Sequence, residues 1–425
     1  MRVPIYKSRP CAPRPARFEG ERINDFIVMS EGCSNSYLVE TRDGSILVNT
    51  GMGFEAPVHH ANYRALSTGA DDLRYIVTTQ GHVDHVGGVQ YFLERNPAAS
   101  YIATAKNPEH QAYDARLQAF RQRRSAFRFQ ENFAEVFDYY AAQGYTDINP
   151  QDVPTPDVLF ADRYQLTHGE VRMELIAVEG AETNDSLIIW MPDHRICFTG
   201  NLFGCPFGHF PNLGTVRGDR YRDALTCANA AQTVLDLEAE VILYGHHAPV
   251  FGRELIAREV TAIRDAILHV HDATVRGMNE GVDLHTLMRT IQLPPECEVG
   301  EGYGKVSWGV RAIWEHYAGW FHHESTTELY SVPQRSVHQD LVELAGTDAL
   351  VARAREKKDA GRPEEALHLL DIVLGSAPGV AAAVELSSEI HQSLREQTDN
   401  FWLSGWLENR IKLLRGGATE TLSFK

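Results

Sequence analysis

Immediately after the apolar, β-branched run Arg74-Tyr75-Ile76-Val77-Thr78-Thr79, the chain reads Gln80-Gly81-His82-Val83-Asp84-His85-Val86-Gly87-Gly88. A short buried-strand pattern that ends in a histidine-rich turn and passes into a helix points to a layered α/β fold, because the loops at strand ends are where such folds carry chemistry. Two glycines after His85 let the following helix start close to the strand end. Two imidazoles and a carboxylate leaving one tight loop can point at one locus.

The flanking sequence extends the layered reading. From about Ile23 to Arg74 the runs INDFIVMS, SNSYLVET and SILVNTG, with a turn at Asp43-Gly44, read as a hairpin or meander. The β pattern resumes in VRMELIAVEG, SLIIWMP, ICFTGNLF and VILYGHHAPVFG, with the helical run RYRDALTCANAAQTVLDL before the last. Two β-rich halves with helices outside predict a sandwich covered on its faces. Between the halves, residues from roughly 106 to 150 read as a helical insertion or lid. Beyond Arg253 the pattern is almost wholly helical. There GVRAIWEHYAGWF places aromatics at the helical spacing of a core or subunit interface. The stretch ALVARAREKKDAGRPEEALHLLDIVLGSAP reads as a helix pair broken at Gly361-Arg362-Pro363, like one tetratricopeptide-type unit.

With 57 acidic against 40 basic side chains and a formal charge of −17, the chain is a poor partner for nucleic acid or anionic membrane surfaces, which demand clustered Lys and Arg. No charge-free apolar run is long enough to span a bilayer, and the N-terminal MRVPIYKSRPCAPRPARFEG lacks the apolar core of a signal peptide. A cytoplasmic location is the expectation. Cys11, Cys33, Cys197, Cys205, Cys227 and Cys297 are scattered singly, so neither a disulfide framework nor a thiolate zinc site is indicated.

Besides His82, Asp84 and His85, three candidates fall at strand ends: Glu182 in Gly180-Ala181-Glu182-Thr183, Asn201 in Phe198-Thr199-Gly200-Asn201, and His246 in Tyr244-Gly245-His246-His247. Nitrogen and oxygen donors without thiolates suit zinc, manganese or iron, in a catalytic rather than a structural site. Other histidines have ordinary explanations: His269 and His271 lie on different faces of a helix, and the adjacent pairs His59-His60 and His322-His323 are badly spaced to share an ion.

The order Asn35-Ser36-Tyr37-Leu38-Val39, Leu47-Val48-Asn49-Thr50-Gly51, the His82–Gly88 loop, Thr199-Gly200-Asn201 and Gly245-His246-His247 resembles the metallo-β-lactamase superfamily. Glu182 and the segment Asn212-Leu213-Gly214-Thr215-Val216-Arg217-Gly218 are similar to its alkylsulfatase branch, as are Gly302-Tyr303-Gly304 and Trp308–Ile313 to that branch's dimerisation domain. The likeness covers roughly residues 25 to 335. It implies an αβ/βα sandwich with a metal site at one edge, a catalytic domain over 1–255 and a helical dimerisation domain over 256–335 with a homodimer as its product; the helices over 336–425 lie outside it and read as a tetratricopeptide-like appendage.

The resemblance also implies a ligand set. One ion would sit on Asp84, His85 and His246, and a second on His82 and Glu182 with Gln80 and Asn201. Gln80 stands where the family has a histidine, Asn201 where it has a bridging acid, and Asn49 where it has an aspartate. Amide oxygens are weaker ligands without charge, so one tight ion and one weak or absent ion are expected. The implied reaction is attack on a sulfate ester by hydroxide generated at the metal, with Asp84 and Glu182 in the chemistry. Arg217, aided by Asn212 and Thr215, would grip the anionic head of a substrate with an apolar part. Phe203, Phe207, His209 and Phe210 could line the apolar tail, and Phe127, Phe129, Phe133, Phe137, Tyr139 and Tyr140 could cap it. Hydrolysis of a lactone, carboxylic ester or thioester on the same fold, and a non-catalytic dimer with a vestigial site, are the competing readings.

Overall fold

The computed structural model describes residues 4–9, 14–146 and 148–416. Two sheets form the framework. The first runs in sequence order: β1 (Glu21–Arg22), β2 (Ile27–Ser30), β3 (Ser36–Thr41), β4 (Gly44–Val48), β5 (Leu73–Val77), β6 (Ser100–Thr104) and β7 (Val158–Phe160). The second comprises β8 (Arg163–His168), β9 (Val171–Ala177), β10 (Leu187–Met191), β11 (Ile196–Gly200), β12 (Val241–Tyr244) and β13 (Val250–Phe251), again paired in chain order. Pairing is antiparallel except from β4 through β7 and between β11 and β12.

Period-two alternation accounts for the layering. On β3, Tyr37 and Val39 face the other sheet, and on β10 so do Leu187, Ile189 and Met191; together with Val77, Ile102 and Phe198 they form the inter-sheet core. The intervening Leu38 turns outward to α1 (Ala56–Leu66) and to the short helices α2 (Val83–Val86) and α3 (Val89–Arg95). Ile188 and Trp190 turn outward to α5 (Ala224–Asp236) and α6 (Arg253–Asn279). Both faces of each sheet are covered, which is why the central strands read as continuous apolar runs. This is the αβ/βα sandwich expected from the resemblance.

The helical insertion is one long helix, α4 (Asn107–Ala142), followed after the second sheet by α7 (Leu284–Thr290) and α8 (Val306–Ala318) and then by α9 (His338–Ala345), α10 (Thr347–Asp359), α11 (Pro363–Ser376), α12 (Ala381–Glu396) and α13 (Phe401–Arg415). The chain divides into two compact units, Met1–Gln122 with Glu131–Tyr317, and Arg123–Gln130 with Ala318–Lys425. That division differs from the boundaries at 255 and 335, because α6 and α8 share the core of α5 and the second sheet: Val260, Ile263, Ile267, Val310 and Ile313 belong to one cluster with Ile188 and Ile242. In the second unit, Leu370, Val373, Leu386 and Ile390 form a separate core. The Gly-Arg-Pro break works as expected: Gly361, at φ 72°, ends α10, and Pro363 opens α11.

The aromatic lid is not formed. Phe127 and Phe129 pack on Trp402 of α13, whereas Phe133, Phe137 and Tyr140 surround Phe54. Phe203, Phe207 and Phe210 are core residues, at most 2% exposed, and Phe203 and Phe207 pack around Tyr244 instead of lining a tail pocket. Among the described residues, five cysteines are free, Cys11 lies outside them, and no helix is long and apolar enough to cross a membrane.

Candidate metal centre

Two segments at strand ends supply the centre. The turn after β5 leads into α2, which carries Asp84 and His85. Gly88 allows the turn to sit low, since a Cβ there would meet Ala56 Cβ at 2.5 Å and the Thr50 carbonyl oxygen at 2.9 Å. His246 follows β12. A Cβ on the preceding Gly245 would lie 2.1 Å from Asn201 Oδ1 and 3.0 Å from the Gly200 backbone, so the ends of β11 and β12 approach closely only because this residue is glycine.

Asp84, His85 and His246 come together, each offering one ligand atom within 4.8 Å of the others. His85 Nε2 and His246 Nε2 lie 3.6 and 3.7 Å from the same oxygen, Asp84 Oδ2. Tetrahedral ligands at about 2.1 Å from an ion stand about 3.4 Å apart, so this triad fits one zinc-type cation. The tautomer fits as well. Ser34 Oγ donates to the Gly245 carbonyl at 3.0 Å, leaving its lone pairs for His85 Nδ1–H at 3.2 Å and freeing Nε2 to ligate. A backbone hydrogen bond with Cys33 engages His246. Burial lowers the pKa of His246 and takes that of His85 down to about 4, so both imidazoles are in the neutral, ligating form. Both rings are buried, and Asp84, with 22% of its side chain exposed, is the member that meets solvent.

The residues of the second implied seat make the following contacts. Gln80 turns its amide nitrogen to His82 Nδ1 at 2.8 Å. Glu182 is held by Arg222: Nη2 donates to Glu182 Oε1 at 2.8 Å, Nε to the Glu182 carbonyl at 2.7 Å and Nη1 to the Asn212 carbonyl at 2.6 Å. Burial raises the Glu182 pKa, against the pull of Arg222 and Arg217. Asn201 Oδ1 is buried without a hydrogen-bond partner. Asn49, at φ 58°, spends its side-chain oxygen on Thr79 N–H at 2.8 Å. Among the described residues the Asp84 triad is the one group of His, Cys, Asp and Glu with ligand spacing. Gln80 and His82 thus share an amide-to-imidazole contact, and Glu182 and Arg222 a carboxylate-to-guanidinium contact.

Beside this second locus lies the segment from Asn212 to Arg217. Asn212 is 2% exposed and both of its amide atoms lack partners, as does the buried Thr215 Oγ1. Arg217 is partly buried, 3.8 Å from Asp219 Oδ2. Burial works against its charge, but Tyr303, Asp219, Glu182 and Asp114 outweigh it and hold its pKa above the ordinary value. Asp219 in turn accepts from Tyr113 and Arg121.

Four contributors escaped the sequence reading. Arg222 carries no periodic or motif signal. Ser34 and Asn35 fall in or beside the Asn35–Val39 run, but their task is spatial: Asn35 N–H and Nδ2 bond Gly245, Tyr244 and His247 carbonyls and hold the His246 loop. His110 stands 5.3 Å ring to ring from His82, its Nδ1 2.7 Å from Asn184 Oδ1 and its buried Nε2 without a hydrogen bond, 3.8 Å from Asp114 Oδ2. The i,i+4 spacing of His110 and Asp114 at the start of α4 was the available clue.

Comparison with known proteins agrees with this architecture. Residues 30–246, just over half of the chain, match the family described as metallo-beta-lactamase superfamily. The chain belongs to that superfamily. Residues 284–416 match the alkyl sulfatase dimerisation family, so the final helices, read as an appendage outside the likeness, fall within it. A linear primary-alkylsulfatase from Pseudomonas sp. is 26% identical over 323 residues, covering 73% of this chain and 60% of its own length. An alkyl/aryl-sulfatase from Saccharomyces cerevisiae is 26% identical over 246 residues, covering 56% of this chain and 38% of its own. The chain thus spans three fifths or less of these curated relatives. The solved structure of a stereoselective inverting sec-alkylsulfatase from Pseudomonas sp. shares the fold, with TM-score 0.79 and 20% identity over 94% of this chain and 66% of that one. Membership of the superfamily implies a divalent metal.

Proposed function

We propose that this protein is a metal-dependent sulfuric ester hydrolase that acts on alkyl sulfates, using one divalent ion, with zinc as the best fit, on Asp84, His85 and His246. The observation that supports this reading is the pair of 3.6 and 3.7 Å spacings from Asp84 Oδ2 to two buried imidazoles. An ion held there supplies Lewis acidity and brings the pKa of water toward neutrality. The protein's own groups do the rest. Ser34 orients His85, and Arg217 presents a planar fork to two oxygens of the sulfate head. Asn212 and Thr215 add donors that have no partner within the described residues. Arg217 and Arg222 make this end of the site less negative than the formal charge of −17 suggests. Glu182, tied to Arg222, acts by shaping that field. A homodimer is supported by the dimerisation match and by the exposed Trp320, Tyr330, Val332 and Leu344 in the second unit.

The test compares hydrolysis of a medium-chain alkyl sulfate with that of a matched carboxylic ester, in wild type and in Arg217→Ala. The expected result is preference for the sulfate and a loss of about a hundredfold in kcat/KM on truncating Arg217, the scale of a charge-assisted contact. Equal turnover of the ester, or sulfate turnover indifferent to Arg217→Ala, would refute the assignment.

A further inference from the structure

We propose that the second seat has changed from a cation site into a donor pocket for a tetrahedral oxyanion, in which the Nε2–H of His82 takes the place of an ion. The inference rests on the sulfate-ester reading above and deepens it. Its first support is the Gln80 contact. The amide nitrogen 2.8 Å from His82 Nδ1 can only donate, so Nδ1 accepts and the neutral ring carries its proton on Nε2. A protonated Nε2 has no lone pair for a metal. It is a donor, and it lies buried with no hydrogen-bond partner in a residue 6% exposed.

The neighbours have changed in the same sense. Arg222 occupies Glu182, the carboxylate that the resemblance assigns to a second cation there. The positive charges of Arg217 and Arg222 both act on His82, which disfavours a cation and favours an anion at this position. Asn212, whose backbone carbonyl is tied to Arg222, keeps a buried amide with neither atom satisfied, and Thr215 keeps a buried hydroxyl likewise. A buried polar group is normally paired; here an imidazole N–H, an amide and a hydroxyl are left over beside an arginine. A sulfate ester head supplies acceptor oxygens for the donors among them, the His82 Nε2–H, the Asn212 Nδ2 and the Thr215 hydroxyl.

The test uses the full-length, metal-loaded protein with inorganic sulfate as probe. Metal content is measured by elemental analysis and sulfate affinity by isothermal titration, for wild type, His82→Leu, His82→Gln and Asn212→Ala. The expected outcome is one metal per chain in all four, with sulfate affinity lowered about tenfold or more in His82→Leu and Asn212→Ala, the scale of a hydrogen bond to a charged group. His82→Gln, which restores an N–H donor, should recover most of that loss. Should His82→Leu fail to fold, His82→Gln and Asn212→Ala carry the comparison. Loss of metal in a folded His82 variant, unchanged sulfate affinity in His82→Leu and Asn212→Ala, or no sulfate binding by wild type would each overturn the pocket. Sulfate bound but alkyl sulfate not hydrolysed would instead remove the proposed reaction and leave the pocket standing.

Discussion

Replacing Arg222 with Met should destabilise the first unit by about 3–5 kcal/mol, the cost of removing one partner from a buried ion pair. Arg222 and Glu182 have 6% and 9% of their side chains exposed, so water cannot replace the guanidinium. Three acceptors lose their donor together: Glu182 Oε1, the Glu182 carbonyl and the Asn212 carbonyl. The penalty should depend on pH. Burial already raises the Glu182 pKa and Arg222 holds it down, so without Arg222 the carboxyl moves further above its unfolded value of 4.5. A group with a raised folded pKa binds more protons folded than unfolded, so the variant loses stability as pH rises from about 4.5 through that raised pKa. Glu182→Gln in the Arg222→Met background removes the stranded charge and should restore a large part of the loss. Urea unfolding at pH 7.5, with a slope of about 3 kcal/mol/M, would show a midpoint lower by about 1–1.7 M for the single variant. A shift under about 0.3 M, or a double variant no more stable than the single one, would refute the view that this pair is a buried clamp.

Ser34→Ala should weaken metal binding by roughly 10–100-fold without altering the ligands, because it frees the His85 ring to rotate and to change tautomer; competition with a chelator measures it, and unchanged affinity counts against the orienting role. His59, fully buried on Ser30, has its pKa lowered by burial to about 3. Its folded pKa lies below the unfolded 6.5, so the stability it contributes is complete above pH 6.5 and is lost as pH falls, about 2 kcal/mol by pH 5. His59→Gln should flatten that acid limb relative to wild type, and parallel profiles would dispose of the argument.

Much of the fold was legible because its determinants are local. Continuous apolar runs within Ser36–Thr41 and Leu187–Met191 mark strands buried on two faces, and Gly361-Arg362-Pro363 both ends and starts a helix. The Asp84 and His85 pair was readable for the same reason, since one turn of α2 places both side chains on one locus. Partner choice across long separations was not legible. Glu182 and Arg222 are 40 residues apart, and Ser34 reaches a carbonyl 211 residues away. Nothing in the spacing says that a carboxylate at a strand end faces a guanidinium instead of an ion, and the aromatics of α4 carry the same periodicity whether they cap a pocket or pack on Phe54 and Trp402.

Composition, periodicity and the Gln80–Gly88 turn by themselves pointed to a layered α/β protein with a candidate metal locus, because backbone sterics and apolar burial act over a few residues. The tertiary structure alone decided that Gln80 engages His82 and that Arg222 engages Glu182. A buried donor or charge takes whichever partner the packed sheets bring within 3 Å, and that proximity exists only once the chain is folded.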